Sequence, residues 1–446
     1  MEKYNSSEIP KSSRITRLVD HLYAKMPEIE SYRAKLITES YKETEDQPII
    51  TRRAKAFSHI LHNIPIIIRD EELIVGSNSI APRGCQTFPE FSFQWLEDEL
   101  DTVATRTADP FYISEQAKAD LREVHKDWKG KTTSELATAY MAPEAIRAID
   151  HNIFTPGNYF YNGVGHVTVK YWEVLEIGYE GIMAKAQAEL DKCNVGDGDY
   201  AERSRFLEAV IISCQAVIDY ADRYAKLALE MAEKEADPTR KKELEQIAAN
   251  LEVVPAHKPQ TFWQAIQLYW FTHLAVTTEL NPWDAFSPGR LDQHLIKYYE
   301  ADTEAGILDD EKAKELLECL WIKFYNQPAP VKVGITLKES ATYVDFANIN
   351  TGGVTPDGKD GVNAVSYLIL DCMDEMKLVQ PNSNVTISKK TPARFLKRAC
   401  EISRKGWGQP AFYNTEAQIM ELVNAGKSLE DARRGGSSGC VETGAW

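Results

Sequence analysis

In the stretch RRGGSSGCVETGAW, residues 433–446, one thiol and one carboxylate stand two positions apart among glycines and serines. In extended backbone, residues two apart project to the same face, so Cys440 and Glu442 would present sulfur and carboxylate together. A sulfur that takes hydrogen from a substrate and a carboxylate that moves a proton on the same molecule make a working pair. Small neighbours favour a tight turn that exposes a reactive atom on rigid backbone. Other readings compete. A phosphate loop would need Lys-Ser/Thr after its last glycine and a strand-to-helix turn, and GGSSG has neither. A cysteine protease would need a histidine partner, and none of the nine histidines is close in sequence. The plain alternative is a glycine-rich surface turn with an idle thiol.

Three further residues draw notice by type and setting. His166 lies in NGVGHVTV, between glycines in an aromatic, polar stretch. Asp284 in LNPWDAFSPGR and Asp345 in TYVDFANIN are acids inside apolar segments, where a carboxylate needs a role or a partner. For the acids the plain alternative is a helix cap or a structural ion pair; for the histidine, a structural or solvated side chain.

Composition narrows the function classes. Lys plus Arg is 51 and Asp plus Glu is 67, a net charge of −16, and no basic cluster carries interleaved aromatics. That disfavours nucleic-acid binding. The N-terminal stretch is charged throughout and lacks a signal-type apolar core, and no uncharged apolar run is long enough for a membrane span. A cytoplasmic protein is expected. Seven scattered cysteines without a C-x-x-C pair exclude a zinc ribbon, and no metal site or disulfide framework is expected. Cys214 and Cys319 sit on helical apolar stripes and read as packed thiols.

The elements that must position these groups fall into two textures. Three- and four-residue apolar spacing predicts helices over RLVDHLYAKM, TRRAKAFSHILHNIP and 201–235, with a break at Asp237-Pro238 and resumption in TRKKELEQIAANLEVV. Thr261 with Gln264 reads as a capping box opening FWQAIQLYWFTHLAV. Ser287 reads as an N-cap before Pro288 at the first position of GRLDQHLIKYYEAD, and Asp309 or Asp310 caps EKAKELLECLWIKFYN. After Pro328, PVKVGITLKE, TYVDFANINTGG and SNVTISKK are β-prone runs, with helices predicted over GVNAVSYLILDCMDEMKLV, TPARFLKRACEISRK and SLEDARR. The alternation predicts an α/β sheet or barrel wrapped by helices, one continuous domain from about Pro255 with a helical N-terminal part packed on it.

SGCVETG resembles the cysteine loop of the glycyl radical enzymes, the pyruvate formate-lyase-like family. The resemblance extends through VPAHKPQTFWQAIQLYWFTHLAVTTELNPWDAFSPGRLDQHL, NQPAPVKVGITLKES, DFANINTGG and KRACEISRKGWGQPAFYNTEA. These stretches are similar to the branch that dehydrates hydroxyproline, best over residues 253–444. The CVETG form departs from the CVEP form of the choline lyase and glycerol dehydratase branches, and the arylacetate decarboxylases are more distant.

The resemblance implies an α/β barrel of two half-barrels surrounded by helices, of which this chain is the N-terminal part: helical 1–254, half-barrel and cysteine loop 255–446. The radical glycine of such enzymes lies in a later segment of the R-V-x-G-Y type that these 446 residues do not contain, so the chain alone is expected to be inactive. Cys440 would carry the thiyl radical and Glu442 would be the acid–base residue. His166 and Asp284 would contact the substrate hydroxyl and amine, and Asp345 and Phe346 would line the pocket. No cofactor is bound directly; an iron–sulfur, S-adenosylmethionine-dependent activating enzyme would install the glycyl radical. The implied reaction takes trans-4-hydroxy-L-proline to pyrroline-5-carboxylate and water. A homodimer is the assembly allowed for. Another glycyl radical dehydratase, a decarboxylase or a formate-lyase-like acyltransferase is the alternative within the family; the last uses adjacent cysteines, and position 439 is glycine. Outside enzymology, a half-barrel with an open strand edge would bind a partner.

Overall fold

The computed structural model describes residues 11–107, 110–151, 153, 165–280, 285–327, 347–439 and 441–445. The helical periodicity of the first half is realised in Ser13–Tyr23, Tyr32–Glu43, Ile49–Asn63, Glu115–Trp128, Tyr171–Leu190, Tyr200–Lys234 and Pro238–Leu251, among shorter helices. Tyr200–Lys234 buries Cys214, Val217, Ala221, Tyr224 and Ala228 along one stripe, which packs on the Ile49–Asn63 and Tyr171–Leu190 helices. Asp237 starts the next helix by accepting from Thr239 N at 2.8 Å, so the predicted break is a cap. Phe262–Glu279 is buried almost all round and touches helices of both halves, which explains its lack of a polar face. One hydrophobic core runs from Ile15 to Ile402, with Trp270 and Trp321 as its bulkiest members and Cys214 and Cys319 packed within it. Among the described residues no helix is long and apolar enough to cross a membrane.

A small parallel sheet of β1 (Glu28–Glu30), β2 (Gly84–Gln86) and β3 (Tyr112–Ile113) stands in the order β2-β1-β3 in the first half of the chain. Two further parallel sheets, β4 (Val167–Thr168) with β5 (Phe286–Ser287), and β6 (Asn348–Gly352), β7 (Asn382–Ile387) and β8 (Ala411–Asn414), are joined by one isolated bridge. β4 pairs with β5, Gly289 bridges to Ile349, and β6 pairs with β7 and β7 with β8, every pairing parallel. Consecutive strands are therefore neighbours running one way, and each parallel step needs a crossover, supplied here by helices. That order belongs to a barrel arc, since a doubly wound sheet reverses its strand order. The antiparallel hairpin of β9 (Gly436–Ser438) and β10 (Glu442–Gly444) follows, with Glu442 opposite Ser438.

Local readings meet the structure unevenly. Asp309 caps Asp310–Tyr325 through Lys312 N at 2.8 Å, and Ser428 caps Leu429–Arg434 through Asp431 N. The Thr261 box is half closed: Thr261 Oγ1 accepts from Gln264 N, but the Gln264 side chain takes Gln260 N. Ser287 is no N-cap. It lies in β5, held by pairing with β4, and the helix begins only at Leu291 after Gly289 turns the chain at φ 71°. The run TYVDFANINTGG yields β6 from its second half, SNVTISKK yields β7, and PVKVGITLKE lies outside the described residues.

Candidate active site

The β9–β10 hairpin brings its own carboxylate and a histidine from the far side of the sequence together. His166 immediately precedes β4, whose pairing with β5 fixes where the imidazole emerges. Its φ is 55°, a left-handed conformation that a side-chain-bearing residue rarely holds without tertiary constraint. His166 Nδ1 lies 3.3 Å from Ser438 Oγ and 3.6 Å from Glu442 Oε2. Glu442 Oε2 also accepts from Val441 N at 2.9 Å, and its side chain is 48% exposed against 23% for His166. Between them sits Gly439 at φ 56°. A Cβ there would come within 2.4 Å of His166 Cε1 and 3.0 Å of Glu442 Oε2, so only glycine lets the two groups approach.

The hairpin is seated by side chains of the arc. Asn350 exchanges two hydrogen bonds with Ser437, donating Nδ2 to its carbonyl at 2.7 Å and accepting from its N–H at 2.8 Å. Asn348 Nδ2 donates to the Gly439 carbonyl at 3.0 Å, and Asn384 Nδ2 donates to Asn348 Oδ1 at 3.0 Å. Gln418 Nε2 donates to Ser437 Oγ at 2.6 Å. At the base of the hairpin the buried Arg290 guanidinium donates to Gly435 O at 2.8 and 2.6 Å and to Gly352 O at 3.0 Å, tying hairpin to β6. Asparagine is depleted in strands, and three of them in β6 and β7 are explained by this load.

Two groups beside Arg290 are shifted by the same burial. Asp292 accepts from Gly352 N and Ser366 Oγ, yet burial pushes its carboxyl up to about 6. His294 is lowered to about 3 by burial and by the charges of Arg290, Arg434 and Lys297, so its imidazole is neutral, 3.0 Å from the Tyr269 hydroxyl. Arg290 itself is lowered to about 10 by burial.

Of the six residues singled out by sequence, the structure brings His166 and Glu442 together. Cys440, Asp284, Asp345 and Phe346 lie outside the described residues. Sequence reading missed Arg290, Asp292, Asn348, Asn350, Asn384 and Gln418; the unusual asparagines in otherwise β-prone runs were the available signal. Among the described residues no group of three or more His, Cys, Asp or Glu is arranged to hold a metal ion.

Comparison with known proteins places this architecture. Residues 6–446 match the family model described as pyruvate formate lyase-like. The chain is 53% identical over 425 residues to trans-4-hydroxy-L-proline dehydratase of Clostridioides difficile, covering 94% of this chain and 53% of that one. It spans about half the length of the curated relatives it matches. The crystal structure of hydroxyproline dehydratase from Clostridioides difficile with trans-4-hydroxy-L-proline bound aligns with a TM-score of 0.94 at 51% identity, over 98% of this chain and 55% of that one. A structure reported for 1,2-propanediol dehydration in Roseburia inulinivorans aligns with a TM-score of 0.96 at 50% identity, over 99% and 53%.

Proposed function

This chain belongs to the pyruvate formate lyase-like family, with the glycyl radical enzyme type of α/β barrel architecture, and from that premise we propose that it carries the thiol and acid–base carboxylate of a glycyl radical dehydratase acting on trans-4-hydroxy-L-proline. The observation that carries the reading is the convergence of the His166 imidazole and the Glu442 carboxylate, 3.6 Å apart, on the hairpin in whose sequence Cys440 stands. The 53% identity to a hydroxyproline dehydratase supports the substrate class. In this reading residues 1–254 are the helical support and residues 255–446 the half-barrel with its cysteine loop.

The seat of the hairpin fits a group that must receive a radical at fixed distance, because Asn348, Asn350, Gln418 and Arg290 hold its backbone and hydroxyl at several points. A glycyl radical, installed by a separate activating enzyme of the iron–sulfur, S-adenosylmethionine class, would supply the oxidising equivalent that makes the Cys440 sulfur able to abstract hydrogen. Cys440 then takes a hydrogen atom from the ring carbon beside nitrogen. The neighbouring C4–O bond breaks, and the departing hydroxyl takes a proton and leaves as water. Glu442 moves that proton. The hydrogen atom returns from sulfur, and loss of the N–H proton completes the C=N bond of pyrroline-5-carboxylate, so the net change is loss of one water. His166 orients Glu442 and contacts the hydroxyl, Asp284 contacts the ring amine, and Asp345 and Phe346 line the pocket. The assembled enzyme is read as a cytoplasmic homodimer.

A second reading, dehydration of a small diol, is favoured by the equally high likeness to the structure reported for 1,2-propanediol dehydration. The two are separated by activating the full-length enzyme anaerobically and offering each compound alone. Pyrroline-5-carboxylate from hydroxyproline, with propanediol untouched, is expected. A radical-bearing enzyme that leaves hydroxyproline intact and consumes the diol overturns the substrate assignment.

A further inference from the structure

The asparagine side chains under the hairpin form a row with one sense. The Gly439 carbonyl can only accept, so Asn348 must present Nδ2 to it, at 3.0 Å. That leaves Asn348 Oδ1 facing β7, where only a donor is tolerable, and Asn384 Nδ2 supplies it at 3.0 Å. Among the described residues Asn384 Oδ1 is then left without a hydrogen-bond partner, although the residue is completely buried. An unpaired buried acceptor is destabilising, because it has given up water without gaining a partner. The orientation of both amides is therefore dictated from the hairpin end and not by satisfaction of the sheet. The Gly439 carbonyl is also one half of the planar peptide unit that continues into Cys440, so whatever holds that oxygen holds the plane.

We propose that Asn348 and Asn384 are positioning residues, a two-amide relay that fixes the Gly439 carbonyl and with it the turn of the hairpin that carries Glu442. The inference rests on the reading of Glu442 as the acid–base residue. Asn348 acts on the hairpin directly, and Asn384 acts through Asn348.

Asn384→Asp tests the relay with almost no change of shape. Its protonated carboxyl donates to Asn348 Oδ1 as the amide did. Its ionised form can only accept, so the Asn348 amide turns over, gives Nδ2 to position 384 and sets Oδ1 against the Gly439 carbonyl. In full-length activated enzyme, kcat of Asn384→Asp is expected to fall about 100-fold as pH rises through the buried carboxyl's raised pKa, a loss of the size produced by a misplaced reacting group. KM should stay within about twofold, the glycyl radical signal by electron paramagnetic resonance should stay at the wild-type level, and wild type should show no such alkaline loss. Asn384→Leu removes the donor without opposing Asn348 and should cost only about tenfold in kcat. An Asn384→Asp profile parallel to wild type overturns the relay, and so does a loss of kcat that merely tracks lost glycyl radical. Hydrogen exchange of residues 436–444 separates this from the substrate reading. Faster exchange in the ionised Asp variant supports the relay even if hydroxyproline proves not to be the substrate; unchanged exchange overturns it.

Discussion

Arg33 in the helical half and Arg290 under the hairpin are both buried arginines, and they are used differently. Arg33 meets Glu90 through two nitrogens at 2.6 and 3.2 Å, caps the carbonyl of Thr278 at 2.7 Å and lies 3.7 Å from the centre of the Phe88 ring. Burial pushes the Glu90 carboxyl up, but the Arg33 and Arg53 charges outweigh it and hold it below its usual range. Among the described residues Arg290 hydrogen-bonds only to carbonyls, those of Gly435 and Gly352. A guanidinium paired with a carboxylate anchors helices, because its charge is neutralised where it is buried. A guanidinium spread over two carbonyls is a poorer anchor but aligns two backbone segments in direction as well as distance. The helical half spends its buried charge on cohesion, the hairpin seat on geometry.

Substitutions should separate these uses. The largest effect is expected at the hairpin itself: Glu442→Gln in the activated full-length enzyme should lower turnover by about 1,000-fold with the glycyl radical retained, within the range for loss of a proton-transfer group. Arg33→Lys comes next, destabilising the fold by about 3 kcal/mol in urea unfolding because one buried partner is lost, with kcat per folded molecule unchanged. Arg290→Lys should do the reverse, lowering kcat about 100-fold with a smaller loss of stability. A fall in kcat for Arg33→Lys matching that of Arg290→Lys would erase the distinction. The smallest effect is a pH dependence. Asp292 has a folded value of about 6, above the unfolded value of about 3.9, so its contribution is fully present below about pH 3.9 and is lost as pH rises through about 6. Asp292→Asn should therefore gain on wild type between about pH 4 and pH 7, by about 2 kcal/mol, in unfolding measured across that window.

How much of this was legible in the sequence follows from how local each cause is. The Tyr200–Lys234 helix, the Asp237 cap and the Asp309 cap are written in residues within a turn or two of one another. Ser287-Pro288 carries a helix-start signal of the same kind and was misread, because β5 is decided by β4, more than 100 residues earlier. The hairpin strands GSS and ETG have no apolar alternation to announce them, since side-chain amides and not core burial hold them. Cys440 and Glu442 were singled out by type and spacing. The resemblance named His166 as a substrate contact, but its approach to Glu442 was not legible, for nothing in the spacing of residues 166 and 442 encodes it.

The seat of the hairpin also has a consequence for the order in which the molecule is made. Arg290 and Gly435 are separated by 145 positions, Asn348 and Gly439 by 91, and Asn350 and Ser437 by 87. Closing loops of such length is entropically unfavourable until the segments between are folded, and a hairpin whose sequence is GSSGCVETG has little apolar surface to dock by on its own. Docking of residues 436–444 should thus be among the last events of assembly, after the Tyr200–Lys234 and Pro238–Leu251 helices, and pulse-labelled hydrogen exchange during refolding would show protection in the opposite order if that were wrong. The hairpin is then seated only on a scaffold that is already folded, so its geometry is the last part of the molecule to be set.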